Sequence, residues 1–275
     1  MSGQREIITS RQNSLLVETH KLSDRKHRNR SGLFRFDGVK LAAEALMRGV
    51  TLHAVLLRES DAEHVSERVA AMSGKLWPTG VRVVNVSDHV FDSLSEESAP
   101  EGVICVAHMQ SELHRTWQSD SNVALRGERV VLLESVRDPS NLGAIIRCAA
   151  ALGVDRMILS ADCADIYNAK TVRASMGTLF SQCIDRTEAM TDYIARLRAD
   201  GRRVFAAALD EQAERLGSFE IQNGDCAVIG NEGHGLSPAV IEACGRTVYI
   251  PMTVRAESLN AAVAAALLMW EFGAN

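Results

Sequence analysis

Side chains that could act on a phosphate-bearing ligand fall into three blocks in the second half of the 275-residue chain. The first block, DPSNLGAIIRCAAALG, carries Asn141 and Arg147, and the second, GNEGHG, carries Glu232. The third block follows an Ile-Pro-Met sequence and carries Ser258 and Asn260. A guanidinium binds phosphate through paired hydrogen bonds, while amide, hydroxyl and carboxylate groups can shape the pocket around it. These residue types indicate a site for an anionic ligand.

A short apolar strand is predicted before each block, and a helix after it. The strands are predicted at 129–133, 227–229 and 248–250. Ligands of open α/β sheets collect beyond the carboxyl ends of the strands. After the first strand, Asp138 can cap a helix, Pro139 suits its first turn and Gly153 can end it. The start of such a helix favours an anion such as phosphate, so the three strand ends are expected to build one ligand site.

Each of these features also has a purely structural interpretation. Arg147 lies in an otherwise apolar helical pattern, where it would pair with a carboxylate or extend to the surface. The glycines of GNEGHG fall as GxxGxG, which is not the dinucleotide-binding order GxGxxG, and a plain turn explains them almost as well. Ser258 and Asn260 are typical helix-capping residues. Spacing alone leaves both kinds of interpretation open.

Strand and helix patterns alternate along the rest of the chain. They predict a compact α/β module over 32–110, a polar linker over 111–128 and a second α/β domain over 129–275. Such alternation favours a mostly parallel sheet with helices on both faces. The predicted fold class is therefore α/β, with a smaller N-terminal domain.

Charge is unevenly distributed between the two ends of the chain. The net charge is −5, yet residues 1–40 contain nine Lys or Arg against four Asp or Glu. A basic arm over 1–31 on an acidic body predicts that one end binds a polyanion, although a solvated charged helix or tail explains the run equally well. The candidate contacts of this arm with such a polyanion are Arg11, Arg25, Lys26, Arg28 and Arg30.

The composition argues against several other classes of protein. With 46% hydrophobic and 24% charged residues, the chain is globular in type, and no apolar run approaches the roughly 18 residues that span a bilayer. The N-terminus lacks the apolar core of a secretory signal, so a cytoplasmic location is expected. The six cysteines show neither CxxC nor Cys/His metal spacing, so we expect buried free thiols and no metal.

Taken together, the motifs closely resemble those of the SpoU (TrmH) family of RNA ribose methyltransferases. The matching segments are LLESVRDPSNLGAIIRCAAALGV (132–154), KTVRASMGTLF (170–180), CAVIGNEGHGLS (226–237) and VYIPMTVRAESLNAAVAAALLMWEF (248–272). They agree with the family in order, spacing and residue identity. The N-terminal part resembles, more loosely, the L30e-like substrate-binding module of the MRM3-like subgroup.

The resemblance implies both an activity and a fold. It implies an α/β knot, a homodimer, and transfer of a methyl group from S-adenosylmethionine to an RNA ribose 2′-hydroxyl, with ribosomal RNA favoured over transfer RNA. The implied cofactor contacts are Leu209, Gly230, Ile250 and Leu259, and the implied catalytic positions are Asn141, Arg147, Glu232, Ser258 and Asn260. The alternatives are a non-catalytic RNA-binding protein that retains the fold and a relative that modifies bases.

Overall fold

The computed structural model describes residues 6–117, 127–253, 255 and 258–273, so part of the predicted linker, 118–126, lies outside the described residues. The chain divides into two compact units. The first comprises Met1–Gln110 with Asp165–Phe180, and the second comprises Ser111–Ala164 with Ser181–Asn275. The sequence places 165–180 within the second domain, whereas these residues pack with the first unit.

The helices and strands follow one another in the alternation that the sequence predicts. The strands are β1 (Ile7–Ile8), β2 (Leu33–Asp37), β3 (Leu52–Arg58), β4 (Arg82–Val86), β5 (Val103–His108), β6 (His114–Thr116), β7 (Val130–Leu133), β8 (Arg156–Ser160), β9 (Cys183–Thr187), β10 (Val204–Ala207), β11 (Glu214–Arg215), β12 (Cys226–Ile229) and β13 (Gly245–Tyr249). The helices are α1 (Ser14–Lys21), α2 (Arg25–Ser31), α3 (Val39–Met47), α4 (Ala62–Ser73), α5 (Asp88–Leu94), α6 (Pro139–Ala151), α7 (Ala169–Ala174), α8 (Met190–Ala199), α9 (Pro238–Cys244) and α10 (Ala261–Gly273).

The second unit is built on one parallel sheet. Its strand order is β11-β13-β10-β12-β7-β8-β9-β6, and the described pairs are all parallel. The strands β7, β8 and β12 are buried along their whole length, as parallel strands covered on both faces must be. Helices α8 and α9 contribute to the core on one face, and α10 packs against α6 and β12. The predicted α/β class with a mostly parallel sheet is confirmed for this unit.

The first unit has a mixed sheet, which the alternation of elements does not predict. Its order is β1-β4-β3-β5-β2, with β5 antiparallel to both of its neighbours. An alternating pattern fixes which segments form strands, but the direction of each strand depends on where its connection returns to the sheet. Buried side chains from α1, α5 and the sheet form the core on one face.

Residues 165–180 complete an aromatic cluster inside the first unit. The Phe34 ring lies 4.6 Å from that of Tyr167, and the Phe36 ring lies 5.2 Å from that of Phe180, between ring centroids. All four side chains are buried. Aromatic pairs at such spacings stabilise a core beyond the apolar area they bury, so this segment is part of the folded first unit.

The basic N-terminal segment is folded rather than a free arm. Asn13 caps α1 and Asp24 caps α2 through side-chain bonds to backbone N–H groups, and Leu15 and Leu16 are buried. These two apolar side chains fix one face of α1 on the core of the unit. The charge run is therefore a folded helical segment, and its exposed cations are compatible with both interpretations.

Arg28 is a correction to the predicted RNA contacts, because its side chain is inside the first unit. It is 2% exposed, and its guanidinium donates to the carbonyls of Leu22 and Ser23 at 2.7 and 2.8 Å. It also pairs with the Asp165 carboxylate at 2.5 Å. A buried charge is tolerated only when it is paired in this way, so Arg28 holds the unit together and is not available to RNA.

Helix α6 begins and ends as the sequence predicts. Asp138 accepts a hydrogen bond from the backbone N–H of Asn141 at 2.7 Å, Pro139 occupies the first turn, and Gly153 follows the helix with φ of 73°. We expect Asp138→Ala to lower the free energy of unfolding by about 1 kcal/mol, because a helix N–H loses its cap. Urea unfolding followed by circular dichroism measures this. Asp138→Asn keeps an acceptor and should be nearly neutral; an equal loss in both variants would show that the negative charge, not the cap, is stabilising.

Candidate active site

A cleft lies at the carboxyl ends of β10, β12 and β13, where the sequence analysis predicts a ligand site. Its volume is about 520 Å³. It is lined by Leu209 after β10, Gly230 after β12, Ile250 after β13, and Leu259 just before α10. The four residues predicted to contact the cofactor thus surround one cleft, although they span fifty positions of the chain.

The GNEGHG loop forms a tight turn above β12. Asn231 and Gly235 exchange backbone hydrogen bonds of 3.0 Å in both directions. The Asn231 side chain accepts from the Gly233 N–H at 2.8 Å and donates to the Ser135 carbonyl at 2.8 Å. This amide therefore fixes the loop internally and ties it to the segment that follows β7. The sequence analysis did not assign Asn231 a role.

Gly230 is required by the loop itself. A Cβ atom at this position would lie 2.4 Å from the carbonyl carbon of Gly235 and 2.6 Å from the amide nitrogen of Leu236. Backbone atoms cannot give way as a flexible side chain can. The tight turn therefore requires a glycine at position 230, as the structural interpretation of the GxxGxG spacing predicts. Because this glycine has no side chain, the backbone at this position also stays accessible from the cleft.

Three predicted site residues from three separate motifs form one hydrogen-bonded chain. Asn141 donates to the Glu232 carboxylate at 2.5 Å, and Asn260 donates to the Asn141 side-chain oxygen at 2.9 Å. These contacts join α6, the loop after β12 and the start of α10. The predicted convergence of the three blocks is confirmed for these residues.

The Asn260 side chain caps a helix and also contacts another predicted site residue. Its side-chain oxygen accepts from the Ala262 N–H at 2.9 Å, which caps α10, while its amide nitrogen reaches Asn141. Ser258 lines the cleft and is exposed. Capping thus fixes the Asn260 amide in the orientation that meets Asn141.

Arg147 is joined neither to the cleft of its own chain nor to the hydrogen-bonded chain beside it. Asn141 and Asn260 do not line the cleft either, but they are connected through Asn141 to Glu232, which does. Arg147 lies on α6 six residues after Asn141, which places it about 9 Å further along the helix and about 240° around it. Its side chain is exposed, and Arg147 is not among the described residues that line the cleft. Glu232 accepts a hydrogen bond from Asn141 and so ties its loop to α6.

Glu134 supports the site and was missed in the sequence analysis. Its carboxylate accepts from the Ser237 N–H at 2.8 Å and from the Ser237 hydroxyl at 2.7 Å. Ser237 caps α9, so this contact fixes the far end of the GNEGHG loop against β7. The available signal was a carboxylate directly after a buried apolar strand, in LLES.

An ionised carboxylate supports the turn after β7. Burial alone would raise the pKa of Asp162, but hydrogen bonds from Ser135, Ser160 and Arg137 lower it to about 2. Ser135 adopts a φ of 57°, and its N–H donates to the Ser160 hydroxyl at 2.8 Å. The strained turn that leads to α6 is therefore held by a group that stays charged at neutral pH.

The remaining predicted RNA contacts are on the surface of the first unit. Arg11, Lys26 and Arg30 are exposed, and so is Arg25, whose Nε lies 4.0 Å from the Asp165 carboxylate. These four cations are accessible to a polyanion, in contrast to Arg28.

The cysteines are free thiols in the structure. Cys105, Cys163, Cys226 and Cys244 are buried, and Cys148 and Cys183 are partly buried. Burial raises the pKa of Cys226 and of Cys244 to about 12, so neither is a reactive thiolate. Among the described residues, no group of three or more His, Cys, Asp or Glu could hold a metal ion, and no helix is long and apolar enough to cross a membrane.

Comparisons with known proteins agree with the motifs. Residues 128–270 match the model of the SpoU rRNA Methylase family, and residues 13–105 match the MRM3-like substrate binding domain. The chain is 30% identical to the 23S rRNA (guanosine(2553)-2′-O)-methyltransferase RlmP of Bacillus subtilis, over 96% of this chain and 97% of the relative. It is also 30% identical to the 23S rRNA (uridine(2479)-2′-O)-methyltransferase of Streptomyces viridochromogenes, over 96% and 90%. The crystal structure of an AdoMet-bound rRNA methyltransferase from Sinorhizobium meliloti superimposes with a TM-score of 0.80 at 28% identity, covering 98% of each chain.

Proposed function

The chain belongs to the SpoU rRNA methylase family, and we propose that it transfers a methyl group from S-adenosylmethionine to a ribose 2′-hydroxyl of RNA. The observation that carries this proposal is the hydrogen-bonded chain Glu232–Asn141–Asn260 beside the cleft. Ribosomal RNA is favoured over transfer RNA, because the two most similar relatives described above are named for ribosomal sites.

The cleft fits S-adenosylmethionine in size and chemistry. Its volume of about 520 Å³ lies within the range of small-molecule sites. Apolar side chains such as Ile250 and Leu268 can cover an adenine ring, while the backbone around Leu209, Gly230 and Leu259 can hydrogen-bond its polar edge. The cofactor would supply a sulfonium-bound methyl group within reach of the ribose oxygen.

Arg147 would position the RNA and stabilise charge. A guanidinium keeps its proton at ordinary pH and has no acceptor, so Arg147 is unsuited to take the proton of the 2′-hydroxyl. It can instead clamp the adjacent phosphate through two hydrogen bonds and stabilise the developing alkoxide. The proton then leaves to that phosphate or to water. Asn141, Ser258 and Asn260 would shape the pocket by hydrogen bonds.

A homodimer would complete the site. An apolar stripe runs along the exposed face of α10, formed by Val263, Leu267 and Trp270, whose exposures are 49%, 42% and 65%. Helix α10 packs on α6, whose outer face carries Arg147. A second copy that covers the stripe would therefore lie near this arginine, which supports our proposal that the site is shared between subunits.

We expect Trp270→Glu to weaken dimer formation by about 30-fold, because a large aromatic residue at the centre of an interface commonly contributes about 2 kcal/mol or more. Analytical ultracentrifugation over a concentration series measures the dissociation constant. Trp77→Glu provides a matched control, because Trp77 belongs to the first unit and is not part of α10. An unchanged dimer in Trp270→Glu would exclude the stripe from the interface.

The function itself is tested by mapping 2′-O-methyl groups in total RNA from cells with and without the gene. One ribosomal position that loses its methyl group, and regains it with the purified protein and S-adenosylmethionine, is the expected result. If only a transfer RNA loses a 2′-O-methyl group, transfer RNA rather than ribosomal RNA is the substrate. Absence of S-adenosylmethionine binding by calorimetry would favour the non-catalytic RNA-binding protein.

Our proposal also includes two features of the fold, a knot in the second unit and an L30e-like module in the first. The family supports an α/β knot in the second unit, and the MRM3-like match supports an L30e-like substrate-binding module in the first. The domain limits of 1–110 and 129–275 and the cytoplasmic location stay predictions.

A further inference from the structure

A groove on the surface of the first unit lies between α1 and α5. Its volume is about 330 Å³. Apolar side chains form part of it, among them Leu16, Val17 and Leu94. Val17 is 36% exposed and forms most of the accessible apolar surface, because Leu16 and Leu94 are only 3% and 6% exposed and form the floor beneath it. The groove therefore offers an apolar surface that a flat, apolar ring face could cover.

Three basic residues border this apolar surface. Arg11 precedes α1, and His20 and Lys21 belong to its last turn; all three line the groove and are exposed. The acidic neighbour on the same helix, Glu18, is held by Lys21 at 2.7 Å and by His27 at 3.0 Å. Because none of the described residues that line the groove is acidic, its border attracts anions.

The walls of the groove are fixed by buried contacts. The Arg35 guanidinium is buried and donates to the Leu94 carbonyl at 3.0 Å, which holds the end of α5. On the other side, Asn13 caps α1, and the buried Thr19 hydroxyl donates to the Leu15 carbonyl at 2.8 Å. A groove whose walls are already ordered loses little conformational entropy when a ligand binds.

We propose that this groove binds one unpaired nucleotide of the substrate RNA, with the base against Val17 and Leu94 and the flanking phosphates on Arg11 and Lys21. This inference rests on the proposed RNA substrate. A volume of about 330 Å³ is at the small end of ligand pockets, which suits a single nucleotide and is too small for a duplex. An apolar platform with cations at its border is the combination that binds single strands without base-specific hydrogen bonds. This combination of apolar and basic residues distinguishes the groove from the rest of the positively charged surface of α1 and α2.

The test is the binding of a short fluorescent oligouridine to the full chain, measured by anisotropy over a range of salt concentrations. Arg11→Gln/Lys21→Gln should weaken binding about tenfold and lower the slope of log affinity against log salt by about 1.4, because each of the two lost phosphate contacts contributes about 0.7 on a single strand. The matched variant Lys40→Gln/Arg48→Gln removes the same charge from exposed positions at α3, outside both the groove and the basic segment, and should change the affinity less than about threefold. Val17→Ser should weaken binding without changing the salt slope.

Two results would overturn the inference. One is an equal loss in both double variants, which would indicate bulk charge alone; the other is unchanged binding in Arg11→Gln/Lys21→Gln. If that double variant unfolds, Arg11→Gln alone replaces it, because Arg11 lies outside the helices and is exposed. Methyl transfer is measured separately on the wild-type chain. Groove binding without methyl transfer would thus refute the proposed activity and leave the groove intact.

Discussion

Arg147→Ala is expected to reduce methyl transfer by about 10³-fold, the effect of removing a group that stabilises transition-state charge. The loss should appear in kcat, because the guanidinium is proposed to act on the phosphate and the developing alkoxide. Affinity for S-adenosylhomocysteine should change less than about threefold, since Arg147 does not line the cofactor cleft of its chain. Single-turnover transfer and isothermal titration measure the two quantities.

Arg147→Lys is the informative control for this result. Lysine keeps the positive charge but lacks the planar pair of donors, so it should restore only part of the activity. Full activity in the lysine variant would show that charge alone is needed. Loss of S-adenosylhomocysteine binding in Arg147→Ala would instead make the arginine a structural residue.

Gly230→Ala is expected to weaken S-adenosylmethionine binding by about 100-fold, equivalent to about 3 kcal/mol. The added methyl group would overlap the backbone of Gly235, so the turn between Asn231 and Gly235 could not close. Because this turn holds one wall of the cleft and presents Glu232 to Asn141, both the cofactor site and the hydrogen-bonded chain would be displaced. Calorimetric titration measures the affinity.

Gly233→Ala in the same loop provides the matched control. A Cβ atom there would meet the Asn231 side chain at 3.5 Å, an ordinary contact, so cofactor binding should stay within about twofold of wild type. If both variants bind equally well, the loop rearranges freely and is not a rigid wall. If both variants lose cofactor affinity to a similar extent, the loop needs the flexibility of both glycines, and the steric requirement at Gly230 is not the cause.

Local chemistry made part of the site predictable. The limits of α6 follow from Asp138 and Gly153, whose capping effects depend only on their neighbours in sequence. The convergence of Asn141, Glu232 and Asn260 follows from a general property of parallel sheets, because strand ends meet along one edge. The limits of α6 and the convergence of the three site residues could therefore be predicted from the residues themselves and their order along the chain.

Features that depend on distant partners were not predictable in this way. Arg28 belongs to a basic run, and its partly buried carboxylate partner, Asp165, lies 137 residues further along the chain. Glu134 and Ser237 are likewise 103 residues apart. A charge pattern indicates where cations are, but only packing decides which of them are buried. In our proposal, the relation of Arg147 to the cleft also depends on a second subunit or on RNA, and neither of these is a property of a single chain.

The membership of residues 165–180 in the first unit has a consequence for protein synthesis. The ribosome must translate past position 180 before Asp165 and Phe180 can join the residues that precede Gln110. At about 5–20 residues per second, synthesis of the chain from Gln110 to Phe180 takes about 4–14 s. During this time the Arg28 guanidinium lacks the Asp165 carboxylate and the Phe36 ring lacks the Phe180 ring. The aromatic cluster and the Arg28–Asp165 pair of the first unit can therefore be completed only after the first motif of the second half, which contains Asn141 and Arg147, has been synthesised.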